Sequence, residues 1–430
     1  MFKAKLAALL LALTTLYGCT TNPVTGASQF TIISPQQEVA IGSKQYGPAQ
    51  QGQGGLYVVD PELTVYVNQI GQKLAARSDR PDLPYEFVVL NNDIPNAWAL
   101  PGGKIAVNRG LLLNLEDEAQ LAAVLGHEVV HAAARHSAQQ MTQSVLLGVG
   151  VQVAAAAGSR SEYGQMVGMG AQLGSALYQA HYGRDQELEA DRYGMLYMAR
   201  AGYDPDAAVE LQQTFVKLSE GRQSNWLDGM FASHPPSQAR VDANREHAAS
   251  LTGSVRNKQS FQRALAQAKK DQPAYEAHQQ ALAAANEGKF DEARSLVEHA
   301  IKLQPREALF PTTLGQLQMQ AKDYKAAMTS FDHANRLYPE YYMPLLGRGL
   351  AAKQLKSYSR AEQDLQASNA LLPTQVATFH LGEIKLTQGN KQEALGYFQQ
   401  AAQAGGELGE RSQAYINELS PAAATGTTGN

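Results

Sequence analysis

The segment Leu121–His131 reads LAAVLGHEVVH and decides how the first half of the chain folds. Its residues are strongly apolar, which predicts a buried α-helix. His127 and His131 lie on one face of such a helix, because four residues make slightly more than one turn. Buried histidine and glutamate side chains are costly unless they are paired or bind a metal. The segment therefore predicts a buried helix that carries a metal site.

His127, Glu128 and His131 form the H-E-x-x-H pattern that is typical of zinc metallopeptidases. Neutral imidazoles are good zinc ligands, and Glu128 is placed to reach a water molecule on the metal. The pattern fixes only three positions, so the alternative is a surface helix with two histidines and a solvated glutamate. The apolar flanks argue against that alternative.

A third ligand is needed, because catalytic zinc usually has three protein ligands and a water. His136 follows His131 by five residues, one short of the metzincin spacing, so it is predicted to be a surface or a supporting residue. Glu187 and Asp191 are four apart in an acidic segment and share a helix face, whereas Glu189 points elsewhere. They indicate a glutamate ligand, and an aspartate that accepts the free N–H of a ligating histidine. The alternative is an ordinary charged helix.

These segments, together with Asn96–Gly103 (NAWALPGG), resemble the gluzincin peptidases related to HtpX, the mitochondrial Oma peptidase and the CAAX prenyl protease. The segment Cys19–Gly42, which contains NPVTG, resembles the lipoprotein branch of that family. The whole layout is similar to the bacterial BepA-like proteins, in which such a peptidase is joined to TPR repeats.

The resemblance implies that one zinc ion is held by His127, His131 and Glu187. It implies that Glu128 is the general base and that Asp191 supports a ligand. It also implies an edge strand and turn beside the cleft, where main-chain pairing would hold a polypeptide substrate. The edge-strand residues are Asn96, Ala97 and Trp98.

His234, in the segment SHPPS (233–237), is predicted to lie near the site because of its place in the family. Three roles are open for it. It could donate a hydrogen bond to the developing oxyanion, fill the open zinc position until substrate arrives, or be a structural loop histidine. Arg240 is predicted to support this loop by pairing with an acidic neighbour.

The N-terminus predicts export and a lipid anchor. A short basic region precedes the apolar run Leu6–Leu16, which is too short to cross a bilayer. The sequence LYGC (16–19) resembles a bacterial lipobox, which implies a lipid on Cys19, the only cysteine in the chain. Several acyl chains anchor a protein firmly to a membrane. Thr20 in place of aspartate favours the outer membrane, so a periplasmic lipoprotein is expected; the alternative is a plain secreted protein.

The composition is that of a folded globular protein, with 44% hydrophobic and 18% charged residues. A net charge of −4 provides no basic surface for nucleic acid. The apolar run Val145–Ala157 is too short for a membrane span and predicts a buried helix or a flap. With the glycine-rich segment Gly158–Gly174 it is either a mobile cover over the cleft or a loose surface loop.

The second half of the chain repeats with a period of 34 residues, which is the TPR signature. Small residues let the two helices of each hairpin approach, and prolines end each second helix. Several columns in register argue against a generic helical bundle. Stacked repeats form a solenoid whose concave face binds peptide or protein. The repeating positions include Pro305, Pro339, Pro373, Gly315, Gly349 and, after 33 residues, Gly382.

The sequence therefore predicts a mainly α-helical protein with a small β-sheet between Tyr85 and Asn108. A gluzincin-type metallopeptidase domain is followed by a C-terminal TPR α-solenoid. The predicted divisions are a signal peptide (1–18), the peptidase domain (19–255), a connecting helix (256–273), TPR repeats (274–409) and a tail whose end is disordered (410–430).

The resemblance implies a zinc endopeptidase of the bacterial envelope that cuts misfolded or stalled proteins during outer-membrane assembly. Its TPR repeats would bind outer-membrane assembly proteins or substrates. The alternative is a TPR-based assembly factor or chaperone with latent protease activity. A third hypothesis is a zinc site that only stabilises the fold, although such sites are usually closed by four protein ligands.

Overall fold

The computed structural model describes residues 19–155, 182–220 and 229–420. The predicted signal peptide and the glycine-rich segment 158–174 lie outside these residues. The chain divides into two compact units, Met1–Lys269 and Lys270–Asn430. Within the described ranges, no helix has both the length and the apolar character that crossing a membrane requires.

The first unit combines helices with two small sheets. Its strands are β1 Cys19–Thr21, β2 Ser28–Phe30, β3 Glu86–Leu90, β4 Ala97–Leu100 and β5 Lys104–Asn108. Its helices are α1 Pro35–Gly52, α2 Pro61–Ala75, α3 Arg109–Leu112, α4 Glu118–Ala133, α5 His136–Ala155, α6 Arg184–Arg200, α7 Asp206–Glu220, α8 Met230–Ser233, α9 Gln238–Ala248 and α10 Lys258–Ala264.

The larger sheet has the order β3-β5-β4, with β5 parallel to β3 and antiparallel to β4. All side chains of β4 and β5 are buried, so these two strands lie inside the unit with neither face exposed to solvent. The turn between these strands places Gly102 and Gly103 at positive φ, +78° and +83°. A Cβ on Gly102 would also lie 2.7 Å from the Val39 backbone, so only glycine fits this turn.

Helix α4 is the buried helix that the opening segment predicts. Its N-cap is Asp117, whose side chain accepts a hydrogen bond from the backbone N–H of Gln120 at 2.9 Å. All of its residues are buried. The helix ends before Arg135, which adopts a left-handed conformation at φ +66°. The chain then turns directly into α5.

The second unit is a series of antiparallel helices, and the predicted fold class is confirmed. Helix α11 (Ala266–Asn286) contains the division between the units. The helices that follow are α12 Phe290–Leu303, α13 Leu309–Gln320, α14 Tyr324–Leu337, α15 Tyr342–Gln354, α16 Tyr358–Leu371, α17 Gln375–Thr387, α18 Lys391–Ala402 and α19 Gly406–Leu419.

Two predicted segments differ in detail from the structure. The connecting helix expected over 256–273 consists of α10 and the first part of α11, and Asn257 precedes α10 at φ +46°. The first ten residues of the expected tail belong to α19, whereas its end, 421–430, lies outside the described residues.

The repeating glycines mark close helix crossings in the second unit. At each of them an added Cβ would come within 2.8 Å of a side chain on the following helix, closer than real Cβ atoms approach. Glycine is therefore required by packing at these positions, although it weakens a helix elsewhere. The pairs are Gly315 with Phe331, Gly349 with Leu365, and Gly382 with Phe398.

We expect Gly382→Ala to destabilise the second unit by about 1–3 kcal/mol, because the added methyl group overpacks the contact with Phe398. The matched control is Gly396→Ala on α18, where a Cβ meets nothing within 4 Å. That change should stabilise the helix by about 0.5–1 kcal/mol. Urea unfolding of the intact protein measures both, and a stabilising Gly382→Ala would contradict this account.

Candidate metal centre

Four buried side chains from separate parts of the first unit converge at one point. His127 and His131 come from α4, Glu187 comes from α6, and His234 follows α8. One donor atom from each of them lies within 4.8 Å of the other three. All four residues are at most 6% exposed. The structure thus brings the predicted ligands together with His234.

The distances between the donor atoms fit a single tetrahedral ion. Nε2 of His131 lies 2.9 Å from Nε2 of His127 and 3.4 Å from Oε1 of Glu187. Nδ1 of His234 lies 3.2 Å from Nε2 of His127 and 2.9 Å from Oε1 of Glu187. Ligands at about 2.1 Å from a tetrahedral zinc ion are separated by about 3.4 Å. Nitrogen and carboxylate donors at these separations suit zinc.

The two ligand-bearing helices meet at a pair of glycines. A Cβ on Gly194 of α6 would lie 2.9 Å from the backbone nitrogen of His127 and 3.0 Å from the carbonyl carbon of Gly126. The α4 and α6 backbones therefore touch next to the first histidine, which brings Glu187 within reach of α4. The sequence analysis missed these glycines, because an isolated glycine in a helical pattern does not reveal which other glycine it contacts.

We expect Gly194→Ala to weaken zinc binding about tenfold or more and to lower the free energy of unfolding by about 1–3 kcal/mol, because the new methyl group separates α4 from α6. Gly183→Ala is the matched control at the start of the same helix, where the nearest atom is 3.9 Å away. Zinc competition and thermal melting measure the two effects. Wild-type zinc affinity in Gly194→Ala would show that the crossing does not control the site.

The families and relatives that match the chain agree with this arrangement. Peptidase family M48 matches residues 61–248, and the tetratricopeptide repeat matches residues 278–342. The chain carries a peptidase family M48 domain followed by TPR repeats. The layout predicted from the sequence is therefore confirmed.

Similar proteins come from bacteria and mitochondria. The beta-barrel assembly-enhancing protease of Escherichia coli strain K12 is 30% identical over 235 residues, which are 53% of this chain and 47% of that protein. The protein of the same name from Yersinia pestis is 30% identical over 231 residues, which are 53% and 47% of the two chains. Mitochondrial metalloendopeptidase OMA1 of Schizosaccharomyces pombe is 37% identical over 179 residues, which are 41% and 51%. The chain spans about half the length of these curated relatives.

In the M48 domain, Asp191 and Arg240 hold His127 in place. Nδ1 of His127 lies 3.0 Å from Oδ1 of Asp191, which makes that nitrogen the donor and directs Nε2 toward the other ligands. The Arg240 guanidinium donates two hydrogen bonds of 2.7 Å to Asp191. A third contact of 2.8 Å joins Arg240 to Glu187. The acidic neighbours expected for Arg240 are therefore these two carboxylates.

The charges around the site set its protonation states. Burial opposes ionisation of Glu187 and Asp191. The charges of His234 and His127 nevertheless lower the pKa of Glu187, and the charge of Arg240 lowers the pKa of Asp191. Burial lowers the pKa of His131, which favours the neutral ring that a metal needs. For His127 burial acts in the same direction, but the charges of Glu187 and Asp191 outweigh it and raise the pKa to about 10. A metal at this site therefore competes with a proton for the His127 ring.

Glu128 is fully buried on the neighbouring face of α4. Neither of its carboxylate oxygens has a hydrogen-bond partner among the residues that the structure describes. Burial raises its pKa, and the charges of His234 and His127 only partly oppose this shift. A buried carboxylate without a hydrogen bond is expensive, so it indicates a group that acts on something bound at the site.

His234 lies between the metal ligands and Glu128. Its Nδ1 is among the convergent donors, and its Nε2 lies 3.5 Å from Oε1 of Glu128. The backbone N–H of His234 donates to the carbonyl of Met230 at 2.8 Å. The residue is 3% exposed. The structure thus places a third imidazole where it contacts both the ligands and the Glu128 carboxylate.

Two further residues complete the surroundings of His131. His136 was predicted to be either a surface or a supporting residue, and the surface position is wrong because His136 is only 1% exposed. Its Nδ1 lies 2.9 Å from Nδ1 of His131. Tyr182 stacks on the His131 ring with centroids 3.7 Å apart, and its hydroxyl lies 3.2 Å from Oγ of Ser137. The sequence analysis missed Tyr182, because no residue pattern links it to α4.

The residues predicted to bind substrate lie at and before the start of β4, and the predicted lipidation site lies at the start of β1. Strand β4 is an edge strand that begins at Ala97, so Asn96 immediately precedes it and Trp98 is buried within it. The carbonyl of Ala99 faces Oγ of Ser137 at 3.5 Å. Cys19 begins β1. Substrate binding at β4 and lipidation of Cys19 stay predictions.

Proposed function

We propose that the protein is a zinc-dependent endopeptidase of the bacterial cell envelope. One observation carries the proposal: three buried donors, from His127, His131 and Glu187, converge beside Glu128, a buried carboxylate without a hydrogen-bond partner. A site that only stabilises the fold would not need such a carboxylate. The M48 match and the relatives named as proteases support the same conclusion.

The proposed chemistry assigns a role to each group. Zinc held by these three residues would act as a Lewis acid and increase the acidity of a bound water. Glu128 would accept a proton from the attacking water and pass it to the leaving amine. Asp191 and Arg240 keep His127 oriented, and the charges of His234 and His127 keep Glu187 ionised. The position of His234 supports the hypothesis that it occupies the open corner of the site until substrate arrives.

The cellular role in this proposal comes from the relatives and the repeats. The names of the bacterial relatives describe proteases that enhance beta-barrel assembly. We propose that this chain cleaves misfolded or stalled envelope proteins, and that its TPR repeats bind outer-membrane assembly proteins. A lipid on Cys19 would hold it at the outer membrane, on the periplasmic side. The M48 match does not favour the alternative of an assembly factor with latent protease activity.

The test uses the mature protein from which residues 1–18 have been removed. We expect about one zinc ion per chain by metal analysis, and digestion of a denatured protein such as casein. A chelator should stop the digestion and added zinc should restore it. A protein that contains no divalent metal, or that digests equally well after complete metal removal, would overturn the proposal.

A further inference from the structure

We propose that His136, Glu189 and Asn22 form a line of polar contacts that positions His131 and connects it to the N-terminal hairpin. The inference rests on the proposed function only because it takes His131 as a metal ligand. None of these three residues is among the convergent donors, so they are positioning residues. Asn22 is the first residue of the NPVTG segment, so the line connects this segment to His131 in the M48 domain.

The line begins at the nitrogen of His131 that faces away from the other ligands. Nε2 of His131 lies among the donor atoms, so its ring proton belongs on Nδ1. That nitrogen lies 2.9 Å from Nδ1 of His136, which must then accept the hydrogen bond. The proton of His136 is left on Nε2. His136 thus selects the tautomer of His131 that is able to bind a metal.

Glu189 continues the line. Its Oε1 lies 3.4 Å from Nε2 of His136, which is an electrostatic contact and not a hydrogen bond. The same oxygen accepts a hydrogen bond of 2.7 Å from the side-chain amide of Asn22. Glu189 lies two residues after the proposed ligand Glu187, so its side chain lies on a different face of α6. It supports His131 through His136, whereas Asp191 contacts His127 directly.

Asn22 is held in one orientation by its own turn. Its Oδ1 accepts hydrogen bonds from the backbone N–H groups of Val24 at 2.8 Å and Thr25 at 3.3 Å. The amide nitrogen must therefore point outward, toward Glu189. The backbone of Asn22 also pairs with Ala27 and Gly26 across the turn between β1 and β2. Asn22 is 5% exposed, so this amide belongs to the core of the unit.

The two histidine ligands therefore have separate supports. His127 is held by Asp191 and Arg240, both on helices close to the site. His131 is held through two intermediates by a residue that lies three positions after Cys19. The β1–β2 hairpin therefore helps to hold the proposed metal ligand His131. This role accounts for the asparagine at position 22, whose amide reaches Glu189.

The test measures zinc affinity by chelator competition on the intact chain without residues 1–18. We expect His136→Ala to weaken zinc binding about 10–100-fold, as loss of a partner of a metal-bound histidine usually does. His136→Asn keeps an acceptor near the position of Nδ1 and should restore most of the affinity. Asn22→Ala should weaken binding less than His136→Ala does. Thr25→Ala, in the same turn but without contact to Glu189, is the matched control and should leave affinity unchanged.

Two further measurements separate positioning from a general loss of stability. Nitrogen NMR of the histidine rings should show the His131 proton on Nδ1 in the wild type and a mixture of tautomers in His136→Ala. In the His136→Ala background, Asn22→Ala should cause no additional loss, because the line is already broken. Equal zinc affinity in wild type and His136→Ala, or additive losses in the double variant, would overturn this inference. Failure of the wild type to bind zinc would instead overturn the proposed function.

Discussion

Replacement of Glu128 by glutamine should reduce peptide-bond cleavage by about 10²–10⁴-fold while zinc content and fold are retained. Glutamine has nearly the same shape as glutamate but cannot accept a proton from water. Neither Glu128 oxygen has a hydrogen-bond partner among the described residues, so the substitution breaks no such bond. Digestion of a denatured protein, zinc analysis and thermal melting of wild type and variant provide the measurement.

The outcome for Glu128→Gln also separates the enzyme from the assembly factor. A variant that folds, binds zinc and still digests protein at the wild-type rate would refute the role of Glu128 as the base. If cleavage is lost but outer-membrane assembly in cells proceeds as in wild type, binding by the TPR repeats contributes more than hydrolysis does. Loss of both would support a role for cleavage in assembly.

Replacement of Glu187 by glutamine should weaken zinc binding by about 10²–10⁴-fold, because removing one partner of a buried charge interaction costs about 3–5 kcal/mol. Glu187 is the only carboxylate among the four convergent donors. Cleavage should fall with zinc occupancy and recover in part when zinc is added in excess. Metal competition on the purified variant measures the affinity.

A matched control for Glu187→Gln lies on the same helix. Asp185 is acidic, exposed and in the first turn of α6, so Asp185→Asn removes a similar charge without touching the site. Its zinc affinity should equal that of the wild type. If the two variants lose affinity equally, the effect comes from the charge of the helix, and the assignment of Glu187 as a ligand is wrong.

The sequence predicted those parts of the candidate site that depend on residue spacing within a single helix. His127 and His131 share a face of α4 because of helical periodicity, and Glu187 shares a face with Asp191 for the same reason. The family resemblance assigns both helices to one metal site. It also pointed to His234, but three roles stayed open because a loop histidine has no periodicity that fixes its neighbours.

Other features of the site depend on contacts that no local pattern contains. Gly126 meets Gly194, and Asn22 meets Glu189 across 167 positions of the chain. The spacing of His136 left a surface and a supporting position open, and the turn at Arg135 brings it against His131. Such residues become recognisable only when two distant segments are seen side by side.

The amino-acid sequence by itself determined the buried H-E-x-x-H helix and the 34-residue helical repeat, because both follow from the spacing of residues along the chain. The tertiary structure alone decided how closely α4 and α6 approach, which atoms surround Glu128, and which residues support each histidine. The physical reason is that hydrogen-bond partners and side-chain volumes are matched between segments far apart in the chain, where spacing along one helix carries no information.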